Sequence, residues 1–232
     1  MDISGSRFLV AGGTGFLGQK FARALLDGGA TVAITGRDNA ELSRVSAELN
    51  CPAIPLDYTD PGSVRAAASA VVHELGGLDG LLIATGAVAF GPVGEIGNEI
   101  ETGLMRINAT GPMELVSVLL DELAPGGAVV AVTAVVAEFP TAGMAAYSAS
   151  KAALAAYLAA LRRERRKDLA TVLEVSPGHM ETGFADRALA GSPPVMPEGA
   201  DVDLLVETVM EALADNRREV RYDMRERGLN VK

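Results

Sequence analysis

Tyr147 and Lys151 stand four residues apart in "AAYSASKAAL", a spacing that puts both on one face of a helix. An ammonium beside a phenol stabilises the phenolate and draws the tyrosine down from its ordinary pKa of about 10. A phenol tuned in this way can give a proton to a carbonyl oxygen or take one from an alcohol. Such pairs are also common on helix surfaces, so the surrounding sequence decides what this one means.

A second candidate lies near the start, in "FLVAGGTGFLGQKFARAL", where Gly12, Gly15 and Gly18 fall between an apolar run and a helical pattern. Glycines in a strand-turn-helix setting allow positive φ, let the backbone approach a pyrophosphate and permit close packing of helix on strand. The helix N-terminus adds attraction for phosphate. The turn Gly12, Thr14, Gly15, Phe16, Leu17, Gly18 is therefore a candidate dinucleotide cradle. The next strand-like run ends in "AITGRDN", where an acidic residue would bond a ribose 2′-hydroxyl, but this chain has Gly36 and then Arg37. A guanidinium suits a 2′-phosphate, so NADP(H) is expected ahead of NAD(H).

These residues need a frame. The runs "RFLVAGG", "ATVAITG", "CPAIPLD", "LDGLLIATG", "GAVVAVTA" and "ATVLEVS" are strand-like and alternate with helical segments, among them a long one from about 95 to 123. That alternation predicts crossover units and an α/β fold, a doubly wound parallel sheet covered by helices on both faces, three layers in all. Residues 1–232 are expected to form a single domain. The final charged stretch "NRREVRYDMRERGLNVK" offers "EVRYDM" as a last edge strand, and "GSPPVMPEG" is the one loop-like insertion.

The charge of −10, from 20 basic and 30 acidic side chains, argues against nucleic acid and anionic membranes as partners. The basic cluster "RRERRK", residues 162–167, falls where cations complement a helix C-terminus. No apolar run is long enough to span a bilayer, and the N-terminus reads as a first strand, so the cytoplasm is the expected location. Cys51 is the one cysteine, and neither His73 nor His179 has a companion at metal-ligand spacing; no metal site is expected.

Taken in order, "AGGTGFLG", "LDYTDPGSV", "GGAVVAVTAVVAEFP", "YSASKAAL" and "VSPGHMETGF" resemble the short-chain dehydrogenase/reductase family over about residues 5 to 185. The resemblance implies a Rossmann sheet and hydride transfer between a nicotinamide and a small carbonyl or alcohol substrate. It implies Tyr147 as acid/base, Lys151 as the residue that holds the nicotinamide ribose, and Asn108 in "RINATGP" as support for a water-linked proton relay. Asp57, with Tyr58 beside it, matches the adenine contact. Pro177 and Gly178 match the turn after the sixth strand, and Thr182 the residue that holds the carboxamide.

Three positions depart from the family pattern. Phe16 stands where its usual short members place their middle glycine. "IATG", residues 83–86, replaces "NNAG" and keeps only Gly86. Ala134, thirteen residues before Tyr147, occupies the position of the catalytic serine, and an alanine has no hydroxyl to polarise a carbonyl. Thr133 is its neighbour and the candidate replacement, although adjacent strand residues face opposite ways. The altered C-terminus points away from the family's usual tail contact and toward a homodimer paired through the two long helices. Two readings stand at this point: an NADPH-dependent reductase, or a catalytically weak or inactive NADP-binding sensor or scaffold.

Overall fold

In the computed structural model, which describes residues 1–232, one eight-stranded sheet organises the chain in the order β3-β2-β1-β4-β5-β6-β7-β8. The strands are β1 (Arg7–Ala11), β2 (Thr31–Gly36), β3 (Ala53–Pro55), β4 (Leu78–Ile83), β5 (Leu123–Val132), β6 (Leu169–Ser176), β7 (Glu219–Asp223) and β8 (Gly228–Val231). All neighbours pair in parallel except β7 with β8, an antiparallel hairpin. The helices are α1 (Phe16–Asp27), α2 (Asn39–Leu49), α3 (Ser63–Leu75), α4 (Asn98–Met105), α5 (Gly111–Leu119), α6 (Ala145–Glu164) and α7 (Val202–Ala214). A doubly wound parallel sheet in three layers is therefore what the chain forms.

The alternation of side chains along each strand sorts the core into two halves. Phe8 and Val10 of β1 pack with Phe21, Leu25, Val45 and Val209, under α1, α2 and α7. Leu9 and Ala11 pack with Val71, Leu115, Leu154 and Leu158, under α3, α5 and α6. A strand apolar at nearly every position is what burial on both faces requires.

The chain winds outward from β1 in one direction through β2 and β3 and in the other through β4 to β7. The order thus reverses between β1 and β4, which opens a crevice beyond their C-terminal ends. The glycine turn and "IATG" both lie at that point.

Two elements differ from expectation. The segment from 95 to 123 is interrupted: a π-helical stretch, Arg106–Thr110, separates α4 from α5, which carries Pro112 in its first turn. The edge of the sheet is β8 rather than "EVRYDM", because the turn after Asp223 folds "GLNV" back onto β7. Four residues with only two strongly apolar side chains carry too little pattern to signal a strand.

Candidate active site

The β1–α1 turn is built so tightly that Gly12 and Gly18 leave no room for a side chain. Gly12 has φ +82°, and a Cβ there would lie 2.9 Å from the Thr85 backbone nitrogen. A Cβ on Gly18 would fall onto the Gly12 carbonyl oxygen, and one on Gly36 would meet Thr14 Cγ2 at 2.5 Å. The Gly15 N–H donates to the Gly12 oxygen at 3.0 Å, closing the turn, and α1 then starts with no side-chain cap on Gly15. Leu17 packs on the α1 side of the core, whereas Phe16 is exposed, with the Lys20 ammonium 5.9 Å from its ring centre. A glycine-lined turn at a helix N-terminus fits a dinucleotide pyrophosphate.

At the end of β2, Asp38 caps α2 by accepting from the Glu41 N–H at 2.9 Å. Arg37 precedes that cap, exposed and without an ion-pair partner, beside the crevice. Asp57 follows β3 and accepts from both the N–H and the hydroxyl of Thr59, at 2.8 and 2.7 Å, which shapes the loop in front of α3. Tyr58 is a core residue rather than a surface contact: its ring packs on Gly111 and on the cluster beneath α3 and α5. Burial holds its phenol well above the ordinary tyrosine value.

The α6 face carries the candidate residues. Tyr147, Ser150, Lys151 and Leu154 are buried along it, as the 3.6-residue period requires. Asn108, from the π-helical stretch, is completely buried; it accepts from the Ala87 N–H at 2.8 Å and donates to the Ala87 oxygen and to Ser150 Oγ, both at 2.9 Å. Ser150 in turn donates to the Tyr147 carbonyl at 2.7 Å. Asn108 thereby locks the loop after β4 to the helix that bears Tyr147. Both amide N–H groups are engaged in these bonds.

Lys151 Nζ donates to the Val132 carbonyl at 3.0 Å, and a Cβ on Gly86 would stand 3.3 Å from it. A side chain at position 86 would press on the ammonium. Burial draws Lys151 down to about 8. It pushes the Tyr147 phenol up, opposite to the direction expected from the lysine spacing, because both groups are desolvated and Nζ is held by Val132.

Thr133 does not replace the missing serine. It is buried at the end of β5 and its hydroxyl donates to Glu174 of β6 at 2.9 Å. Glu174 sits near Arg221 of β7, whose guanidinium also pairs with Glu138 and Glu219. Ala134, in extended conformation, is the residue that faces the phenol: it packs in one apolar cluster with Val88, Phe90, Leu104, Met144 and Tyr147.

Pro177 accepts the Val135 N–H at 2.9 Å, fixing the turn after β6 beside Ala134. Gly178 makes room for Tyr222, since a Cβ there would be 2.7 Å from its ring. Thr182 is half-buried at the start of residues 182–190, which form a lid, and its N–H donates to the Met180 carbonyl. Phe184 covers the site, its ring 6.3 Å from that of Tyr147. The lid is strapped down by two backbone bonds, Leu189 N–H to Val88 and Phe90 N–H to Ala190, at 2.8 and 2.9 Å.

Three residues of the site escaped the sequence reading. Thr85 lies beneath Gly12 with a buried, unpartnered hydroxyl; Ser150 anchors Asn108; Glu174 holds Thr133. Of these only Glu174 left a signal, a lone carboxylate within the apolar run "ATVLEVS".

The model of a family described as short chain dehydrogenase matches residues 7–191. The chain belongs to that family. Among relatives of this short-chain dehydrogenase, the dehydrogenase/reductase SDR family member 7B of Mus musculus is 28% identical over 192 residues, covering 78% of this chain and 59% of its own. The Bos taurus protein of the same name is also 28% identical, with 60% of its length covered. The chain thus spans about six-tenths of the length of these curated relatives. A dehydrogenase/reductase from Sinorhizobium meliloti 1021 superposes with a TM-score of 0.80 at 27% identity, covering 91% of this chain and 89% of the other. A short chain dehydrogenase from Burkholderia cenocepacia J2315, solved in complex with NADP, superposes with a TM-score of 0.79 at 27% identity over 92% of both. The short-chain dehydrogenase fold and membership of an oxidoreductase family follow.

Proposed function

We propose that this chain is an NADPH-dependent oxidoreductase that moves hydride between the nicotinamide and a carbonyl or alcohol, with Tyr147 handling the proton. The observation that carries the reading is the gathering of Tyr147, Lys151, Asn108 and Gly86 at the crevice, with Lys151 buried and lowered to about 8. A chain relieved of chemistry has no packing reason to bury an ammonium there.

The residues present fit the cofactor. The Gly12 to Gly18 turn would hold the pyrophosphate, Arg37 the 2′-phosphate, Asp57 the adenine side, Lys151 a ribose and Thr182 the carboxamide. Bound, the cofactor supplies or accepts a hydride. Arg37 supports NADPH over NADH because its fork is free and an acidic residue is missing at the end of β2. Tyr147 gives its proton to the substrate oxygen as negative charge develops there. Lys151, lowered to about 8 and so still protonated at pH 7, is the cation on the same helix face that stabilises the phenolate left behind. Asn108 and Ser150 keep the phenol in place, and Phe184 excludes water. We extend the reading to a cytoplasmic homodimer paired through α5 and α6, a state that light scattering tests.

Ala134 favours a second reading, a protein that binds NADP and has lost turnover. Equilibrium titration with NADPH and NADH, followed by NADPH oxidation over a panel of apolar ketones, separates the two. The enzyme reading expects turnover that collapses in Tyr147→Phe; selective NADPH binding with no turnover of any ketone would favour the sensor.

A further inference from the structure

We infer that Arg221, on the C-terminal hairpin, is a positioning residue for this site: through Glu138 it holds the segment 134–138 against Tyr147 and so sets where a substrate carbonyl meets the phenol. The inference rests on the oxidoreductase reading above and goes beyond it by giving the hairpin a part in the reaction.

The segment needs an anchor. Ala134 packs in the cluster that contains Tyr147, and Val136 packs against the same cluster. A shift of either therefore moves the surface beside the phenol. The segment's own hydrogen bonds are those of a single 3₁₀ turn, Ala137 N–H to Ala134 and Phe139 N–H to Val135, at 2.9 and 3.0 Å. Residues 138–142 beyond it are exposed. One isolated turn fixes more backbone than its bonds repay, so it does not hold its own place.

What holds it comes from outside. The Val135 N–H donates to the Pro177 carbonyl at 2.9 Å, and the Arg221 guanidinium donates to the Glu138 carboxylate. The two ties bracket Val136, one to the turn after β6 and one to β7. The first is backbone, whereas the second depends on a pair of side chains.

Arg221 is itself fixed from behind. Its Nε stands 3.2 Å from Glu219, and its Nη2 stands 3.9 Å from the buried Glu174. Three carboxylates thus share one guanidinium, whose rigid fork can face several acceptors at once. Arg162 of α6, a second cation here, donates to the carbonyls of Val172 and Arg218 at 3.0 and 2.9 Å and is not at ion-pair distance from any of the three. Without Arg221, the exposed Glu138 would turn into water, away from the negative charge of Glu174 and Glu219, and its segment would follow.

The next residue of β7 supports the other tie. Tyr222 points to the opposite face of the strand and fills the space left by Gly178, where a Cβ would stand 2.7 Å from its ring. Arg221 and Tyr222 thus hold the two loops that the Val135–Pro177 bond joins.

Two readouts test this, one without the reaction and one with it. Hydrogen exchange of the chain without cofactor, read by mass spectrometry, should rise at least about fivefold across 135–139 in Arg221→Met and in Glu138→Ala, and stay unchanged across 12–18. NADPH oxidation is followed with the panel ketone that the native chain reduces fastest. Each variant should lose at least about tenfold in kcat/KM, as slight misplacement at a reacting centre does. Calorimetry should find the Kd of NADPH within about twofold of native. The double variant should be no worse than either single, because both remove the same contact. Arg227→Ala, which breaks only an exposed pair with Glu198 on the same hairpin, should leave both readouts unchanged.

Native kcat/KM in the single variants, even with a lower melting temperature, would assign the pair to stability alone and overturn the inference. So would losses that multiply in the double variant, or unchanged exchange at 135–139; all three results leave the oxidoreductase intact. If Arg221→Met fails to fold because Glu174 loses its cation, Glu138→Ala carries the same test, since that carboxylate is half-exposed. NADPH binding with no turnover of any ketone would overturn the oxidoreductase reading and, with it, the part of Arg221 in a reaction, whatever the exchange shows.

Discussion

Replacing Lys151 by methionine should make the folded chain more stable at pH 7 while abolishing turnover. Nζ is buried, bonded to one carbonyl oxygen at 3.0 Å, and has no carboxylate at ion-pair distance. Burial lowers the amine from its ordinary 10.5 to about 8. At about 1.36 kcal/mol per pKa unit, holding the proton in the folded chain costs roughly 3 kcal/mol at neutral pH, where the unfolded chain also holds it. Methionine follows the same unbranched path without the charge. It forfeits the bond to Val132, worth about 1 kcal/mol, leaving a gain of about 2 kcal/mol. For a chain of this size that raises Tm by about 4 to 8 °C. The folded amine loses its proton first, so the native chain gains stability as pH rises from about 8 to 10.5, and above that window the cost is gone. Thermal melts of both proteins without cofactor, at pH 7, 9 and 10, should therefore show a gap that narrows with pH. A variant that melts below the native chain at pH 7, or a gap independent of pH, would refute the argument.

Arg37→Ala should weaken NADPH by about 10-fold or more while leaving NADH within a few-fold, since a charge-assisted bond contributes about 1.5 to 3 kcal/mol; equal losses in parallel titrations would remove Arg37 from the phosphate. Gly18→Ala forces a methyl onto the Gly12 oxygen and should raise the Kd of NADPH by more than about tenfold. Thr133→Val should lower stability by about 1 to 2 kcal/mol in denaturant melts, by removing the hydroxyl donor to the buried Glu174 carboxylate, yet keep kcat within about threefold. A collapse of kcat there would return Thr133 to the active site. Asn108→Ala strips partners from both the N–H and the carbonyl of Ala87 and should cost about 3 kcal/mol in the same melts.

The fold was legible wherever burial acts on both faces of a strand or one face of a helix, because period alone then reports structure. β1 and α6 show this best. The tightness of the glycine turn and the shared helix face of Tyr147 and Lys151 were legible for a related reason: close backbone packing and helical period leave few alternatives. What could not be read depends on distance across the sheet. Thr133 turns to Glu174 because β5 and β6 set those two side by side, 41 positions apart in the chain. The pKa order of Tyr147 and Lys151 was lost in the same way, since spacing shows which groups are near and burial decides which are charged. β8 escaped because its four residues are defined by β7.

The π-helical stretch Arg106–Thr110 carries one residue more per turn than the helices on either side need. Loss of a single residue there would let α4 run smoothly into α5, a more regular and locally easier structure. It would also swing position 108 about 100° around the helix axis, away from Ala87 and Ser150. Among the sequences that descend from this one, a three-nucleotide deletion would therefore relax the helix and silence the site at once, so lineages that keep the irregular stretch can be sorted from those that straightened it by length alone.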